Sequence, residues 1–197
     1  MQTKTIVVLN GHPAEASLSR TFAETYAEYA RDAGHKVRLH HLPEMAFDMD
    51  FGQGNYKNWK PLEPELEAFL VDLEWSTHVV VTLPMWWGGL PAKLKALFDR
   101  ALLPGRAFDP RKLTRAGLPA PLLEGKTARV IMTSDTPGWL LRLIYHRPVI
   151  HQINKQILGF VGIRPTRHTY FAPASEAPSD IVEGWIARVA RLGAQAG

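Results

Sequence analysis

The 197-residue chain contains no cysteine. Disulfides, thiolate nucleophiles, cysteine–zinc centres and any relay of electrons through an active-site disulfide are therefore excluded. Long hydrophobic runs are missing too. No apolar stretch approaches the roughly 18 residues of a membrane span, and the N-terminus lacks the apolar core of a secretory signal. The expectation is a soluble, cytoplasmic protein with no membrane insertion. The histidines show no H-E-x-x-H or comparable spacing, so no metal site is expected. The segment after the first hydrophobic run has neither G-x-G-x-x-G nor G-K-[ST], which removes the dinucleotide fingerprint and the Walker loop. It also lacks the acidic cluster of a phosphoacceptor domain.

Charge is present in slight basic excess, 23 Lys and Arg against 19 Asp and Glu. Such a surplus is either a scattered solvated surface or an attraction for phosphates and acidic partners. The densest basic run, Arg106 to Arg115, is interrupted by Pro110 and flanked by Gly105 and Gly117, so it reads as a loop. No nucleic-acid-binding motif accompanies it, and no nucleic-acid partner is expected.

Strand and helix patterns alternate along the chain, which implies βαβ units and a parallel sheet. Lys4 to Asn10, Lys36 to His40, His78 to Leu83, Thr127 to Thr133 and Thr166 to Phe171 read as five strands. Between them, Ser19 to Ala33 places Phe22, Tyr26 and Tyr29 at helical spacing and stops at Gly34. Pro61 and Pro64 bracket a helix with Leu66, Phe69, Leu70 and Leu73 on one face. Another helix starts at Pro91 and ends before Pro104-Gly105. Ile181, Trp185, Val189 and Leu192 mark the last, with Asp180 and Glu183 resembling a capping box. The pattern predicts one α/β domain over residues 1–197, a flavodoxin-like open parallel sheet of order 2-1-3-4-5 with helices on both faces. Segments 41–60 and 103–124 exceed ordinary connections and read as binding loops or dimer arms.

Two loops at strand ends carry chemistry. After the first strand, Asn10-Gly11-His12-Pro13-Ala14-Glu15-Ala16-Ser17-Leu18-Ser19 supplies His12, Ser17 and Ser19 and then opens a helix whose free N–H groups attract anions. The other reading is that Ser17 or Ser19 caps the helix. After the third strand, Pro84-Met85-Trp86-Trp87-Gly88-Gly89 sets bulky aromatics beside glycines, which permit close backbone approach and unusual φ. In open α/β sheets this carboxyl edge is where ligands bind. The tryptophans would suit a flat aromatic ligand, or simply fill a core or an interface.

The His12-Pro13…Ser17-Leu18-Ser19 loop, together with Pro84-x-x-Trp87-x-x-x-Pro91-Ala92-x-Leu94-Lys95…Asp99-Arg100, resembles the flavodoxin-like NAD(P)H:quinone oxidoreductases, the DT-diaphorase group. The resemblance follows the element order over residues 4–171 and is sharp in these two loops. It implies a tightly bound flavin, its phosphate held by His12, Ser17, Leu18 and Ser19, its ring flanked by Pro84, Met85, Trp86, Trp87 and Gly88. The five-residue step from His12 to Ser17 resembles the FAD-binding branch, with FMN as the alternative. NAD(P)H would be the electron donor and a quinone or similar aromatic compound the acceptor, in a ping-pong cycle of two-electron steps. A homodimer with an interfacial site is implied as well, with Tyr56, Trp59 and Phe108 as candidate walls. Alternatives are an azo- or nitro-reductase, or a regulatory flavoprotein subunit of a potassium-efflux antiporter. A one-electron carrier is disfavoured, because such carriers are usually acidic.

The third loop departs from that family. Where its members follow the fourth strand with Thr-Thr-Gly-Gly, this chain has Thr133-Ser134-Asp135-Thr136-Pro137-Gly138. Backbone N–H groups of Thr133 and Ser134 are the expected donors to the flavin edge. Asp135 is expected to face solvent or to cap the helix near Trp139. Family members also carry a Tyr and a His near the substrate at the separation of Tyr145 and His151; His146 competes for the role, and coincidence in an apolar helical stretch is the other reading. Arg106, Arg111 and Arg115 are candidates, by charge alone, for a cofactor 2′-phosphate.

Overall fold

The computed structural model describes residues 2–52 and 59–196. In chain order its elements are β1 (Thr5–Asn10), α1 (Leu18–Asp32), β2 (Lys36–His41), α2 (Pro64–Trp75), β3 (His78–Pro84), α3 (Ala92–Ala101), β4 (Phe108–Leu113), β5 (Pro119–Pro121), β6 (Thr127–Thr133), α4 (Gly138–Leu143), α5 (Pro148–His151), β7 (Thr166–Phe171) and α6 (Ser179–Gln195). Five of the strands form a sheet of order β2-β1-β3-β6-β7, parallel at every pairing. This is the doubly wound order expected, with β6 and β7 as its fourth and fifth members.

Alternation along the strands divides the core into two layers. Val7, Leu9, Val79, Val81, Val130 and Met132 face α2 and α3, while Ile6, Val8, Val80 and Ile131 face α1 and α6. Every residue of β3 is buried, which suits its central position. Gly34, at φ +85°, takes the left-handed position that ends α1. On the α1/α6 side the helices touch through Gly193, where an added Cβ would lie 2.5 Å from the Tyr26 carbonyl oxygen.

Three readings need correction. The 103–124 segment is not a bare loop: β4 and β5 pair as an antiparallel hairpin outside the main sheet, its polar, proline-rich strands lacking the alternation that would reveal them. No capping box opens α6. Its N-cap is Pro178, without a side-chain bond, and Asp180 lies within the first turn. α1 begins at Leu18, with Ser17 as its cap. The other long segment is anchored at both ends of its described parts. Arg100 of α3, 2% exposed, donates to the carbonyls of Asp48 and Pro61 and pairs with Glu63 at 2.8 Å. Tyr56 lies outside the described residues.

Replacing Gly193 with Ala drives the new methyl group into the Tyr26 backbone where α1 meets α6, and is expected to cost about 1–3 kcal/mol, read from the denaturant midpoint. A second expectation concerns His78, where burial, then the charges of Lys4, Arg129 and Arg167, push the pKa from 6.5 to about 3. Above 6.5 both states hold a neutral ring; below it the unfolded chain takes a proton that the folded chain refuses. Stability should therefore fall as pH drops from 6.5 towards 3, at up to about 1.4 kcal/mol per pH unit from this group. His78→Gln should flatten that slope in urea titrations at stepped pH.

Candidate functional site

Three backbone bonds carry the sheet past its last ladder residues and align the loops at the carboxyl edge. Gly11 N–H donates to Thr82 O at 2.7 Å, Met85 N–H to Thr133 O at 2.8 Å, and Ser134 N–H to Phe171 O at 3.1 Å. The loops after β1, β3, β6 and β7 thus start side by side. They enclose a cleft of about 240 Å³ whose lining includes His12, Ser17, Leu18, Ser19, Pro84, Met85, Trp86, Thr133, Ser134 and Asp135. These ten residues, drawn from three separate loops, are among those singled out in the sequence.

One end of the cleft gathers hydrogen-bond donors and a helix N-terminus. Ser17 caps α1, its Oγ accepting the Arg20 N–H at 3.1 Å, so its own hydroxyl proton stays available to a ligand. The first turn of α1 holds no acidic residue, and its dipole and free N–H groups favour negative charge. Arg20 is engaged with Glu24 and Glu44. Burial holds the His12 pKa below its ordinary value, partly offset by the bond from Ala14. With Nδ1 accepting the Ala14 N–H at 3.0 Å, the neutral ring keeps its proton on Nε2 and presents a donor. The ring stands edge-on to Trp86, centroids 5.3 Å apart.

At the other end the chain folds into a tight turn. Trp86 and Gly89 exchange backbone bonds of 3.1 and 2.9 Å, and the residues between them, Trp87 and Gly88, have φ of +50° and +73°. Two successive left-handed residues make a type I′ hairpin turn. A glycine adopts this freely, whereas a tryptophan does so rarely. The turn leaves Trp87 fully exposed. Beside it opens a second cleft of about 600 Å³, lined by Met85, Trp87, Gly88, Ser134, Asp135, Thr136, Leu141, Tyr145 and Pro148. Met85, Ser134 and Asp135 line both clefts, which therefore adjoin.

Tyr145 reaches this second cleft, whereas His151 lines neither. His146 and Arg147, both left-handed at φ near +55°, separate the two residues and reset the chain before α5. The break precedes Pro148, so a spacing counted along the sequence carries no geometry across it.

Asp135 neither caps α4 nor points freely into water. It is exposed, but its carboxylate accepts the N–H groups of Ala174 (3.0 Å) and Ser175 (2.7 Å) and the Ser175 hydroxyl (2.6 Å). These bonds, those of Ser175 foremost, hold the carboxyl below the usual range. α4 starts after Pro137 with no side-chain cap. The Ser134 N–H, expected as a donor to a ligand, is spent on Phe171, and the Thr136 N–H is taken by Ser134 Oγ at 3.0 Å. That leaves Asp135 N–H, which donates to no acceptor among the described residues. Ala174 and Ser175 line the first cleft and went unnoticed in the sequence; their position just after the edge strand β7 was the available signal.

Other candidate residues lie outside the two clefts. Arg106 is bound to Glu67 and Glu74, and Arg111 to Asp109. Phe108 packs edge-on against Phe160 at 5.3 Å, and neither it nor Trp59 lines the two clefts. No described helix is long and apolar enough to cross a membrane.

Comparison with known proteins agrees with this architecture. NAD(P)H dehydrogenase (quinone) 1 of Rattus norvegicus is 27% identical over 135 residues, covering 65% of this chain and 48% of its own. The chain thus spans about half the length of that curated relative. The FMN-dependent NADH:quinone oxidoreductase of Nitratidesulfovibrio vulgaris is 27% identical over 198 aligned positions, 91% of each chain. The solved structure of the NAD(P)H:quinone oxidoreductase of Methanothermobacter marburgensis superposes with a TM-score of 0.77 at 21% identity, covering 99% of this chain and 96% of that one. Residues 4–192 match the family described as having a flavodoxin-like fold, and the chain belongs to that family.

Proposed function

We propose that this protein binds FMN across the two clefts and passes electrons in pairs from NADH or NADPH to a quinone or a similar flat acceptor. The observation that carries the reading is that a donor-lined cleft, at His12 and Ser17 to Ser19, adjoins an aromatic-walled opening at Trp87 and Tyr145, with Met85, Ser134 and Asp135 as shared walls. FMN replaces FAD as the preferred cofactor, because relatives named for FMN align over most of the chain, whereas a loop spacing alone supported FAD.

The donor set fits the cofactor. Its phosphate would take the Ser17 hydroxyl, the α1 amides of Leu18 and Ser19, and the His12 Nε2–H, charge-assisted bonds to a dipole already positive. Its ring would lie between Trp86 and the 133–136 loop. When bound, the flavin supplies the hydride chemistry; the protein supplies orientation and electrostatics. Asp135 N–H is the backbone donor free for the ring's polar edge. The adjacent carboxylate, kept ionised by Ser175 and Ala174, would oppose negative charge added to the ring. Tyr145, which lines the second cleft, would hydrogen-bond the acceptor or deliver a proton to it. A second copy of the chain covering Trp87 and Tyr145 would complete a water-excluding pocket, as the homodimer expectation requires.

Three results test this. Protein saturated with FMN should lose its 450-nm-region colour on rapid mixing with NADH or NADPH and regain it on adding a quinone. Failure to take up flavin, or colour unchanged by both nucleotides, overturns the reading. Ser17→Ala removes one bond to a charged group, worth about 1.5–3 kcal/mol. It should weaken FMN binding at least tenfold in a fluorescence-quenching titration, with a further loss of about 1 kcal/mol in stability from the missing cap. Tyr145→Phe should slow the reoxidation step about tenfold while flavin content and the nucleotide half-reaction stay unchanged; normal reoxidation removes Tyr145 from the chemistry.

A further inference from the structure

A third cleft, of about 620 Å³, opens between α4, α5 and the edge strand β7, and its lining includes Trp139, Leu141, Arg142, Arg147, His168 and Tyr170. Leu141 is also a wall of the second cleft, so the two adjoin.

A backbone reversal brings the two arginines to this one cleft. Ile144 N–H and Tyr145 N–H both donate to Leu140 O, and the chain then passes through left-handed His146 and Arg147. Arg147 N–H donates to Leu141 O at 2.9 Å, which returns residue 147 to the turn of α4 that carries Arg142. Two consecutive left-handed residues other than glycine are strained, and such strain gathers at ligand sites. No acid offsets the charge. From Thr136 to Ser175 the sequence contains no Asp or Glu, none lines the cleft, and neither guanidinium pairs with a carboxylate among the described residues. Arg106 and Arg111, by contrast, are each held by acids. Two guanidiniums at one cleft without a counter-ion repel each other, and a doubly charged anion between them relieves that repulsion. Trp139 and Tyr170 add two aromatic rings to the same walls, with the Tyr170 hydroxyl fixed on Thr136 O at 2.6 Å.

We propose that this cleft receives the adenosine end of the electron donor and that Arg142 and Arg147 bind its 2′-phosphate, which makes NADPH the preferred donor over NADH. The inference rests on the flavin reading, in which the nicotinamide would occupy the adjoining cleft beside Trp87 and Tyr145. Arginine suits the task, because a planar guanidinium takes phosphate oxygens in pairs and stacks on aromatic rings. Adenine would lie against Trp139 or Tyr170. NADH, which lacks the 2′-phosphate, would leave both guanidiniums without a counter-ion.

The test is calorimetric titration of the protein in excess FMN, at constant ionic strength, with 2′,5′-ADP, with 5′-AMP and with inorganic phosphate. The expected result is that 2′,5′-ADP binds at least tenfold tighter than either of the others. That preference should shrink to about twofold or less in the double variant Arg142→Gln, Arg147→Gln, whose two sites are exposed and whose Tm should match the wild type. In rapid mixing, the ratio of the NADH to the NADPH dissociation constant should fall by a similar factor in that variant. Equal binding of 2′,5′-ADP and 5′-AMP overturns the proposal, and so does a preference that survives in the variant. Phosphate that binds as tightly as 2′,5′-ADP also overturns it, by showing an anion site that does not read adenosine. These fragments carry no nicotinamide, so their binding is read whether or not the flavin is reduced, and a failure here is distinct from a failure of the flavin reading.

Discussion

Gly11 to Thr82, Met85 to Thr133 and Ser134 to Phe171 form a row of backbone hydrogen bonds that continues the parallel ladder one step beyond the strands. Each bond takes the first amide of a loop and fixes it to the neighbouring strand. Four loops that share no sequence proximity therefore leave the sheet in register. The cleft lined by His12, Pro84, Thr133 and Ala174 exists because of that row. The buried strand β3 is its centre, giving one acceptor and one donor, and Pro84 ends the strand where the turn must begin. Gly11 adds a second constraint: an added Cβ would meet the Leu94 side chain at 2.7 Å and the Thr82 carbonyl at 3.1 Å, so a side chain there would have to displace buried Leu94.

Charge is distributed unevenly over this frame. At the carboxyl edge the anion cradle relies on neutral donors, a dipole and a neutral His12, while nearby Arg20 is held by two carboxylates. Donors that need no counter-ion suit a cofactor phosphate that must stay put through a redox cycle. Asp135 is the contrary element. Its carboxylate brings a charge to the seam of the two clefts, yet three hydrogen bonds commit it to bracing the loop after β7. It replaces the flexibility of a glycine pair with a fixed link between neighbouring loops.

Much of the fold was legible, since buried strands announce themselves as β-branched runs and helices by their apolar spacing. His78 to Pro84 and the five-strand order needed nothing else. The first loop's share of the cleft was legible for a related reason: His12 and Ser17 to Ser19 lie in one short segment at a strand–helix junction. What escaped was whatever depends on residues meeting from afar. The β4–β5 hairpin has too little alternation to show itself, and Ser175 acquires meaning only when Asp135 reaches it. His151 lines neither cleft, and two left-handed residues at positions 146 and 147, which no sequence spacing shows, stand between it and Tyr145. The neutral states of His12 and His78 follow from burial, which a sequence states only indirectly.

The central claim is that one flavin spans both clefts with its phosphate at the start of α1. A crystal structure of the protein soaked or co-crystallised with FMN tests it most directly. The phosphate is expected within hydrogen-bond reach of Ser17 Oγ and the Leu18 and Ser19 amides, with the ring beside Trp86 and its polar edge towards Asp135 N–H. An empty cradle at saturating FMN, or a flavin seated elsewhere on the molecule, would contradict it.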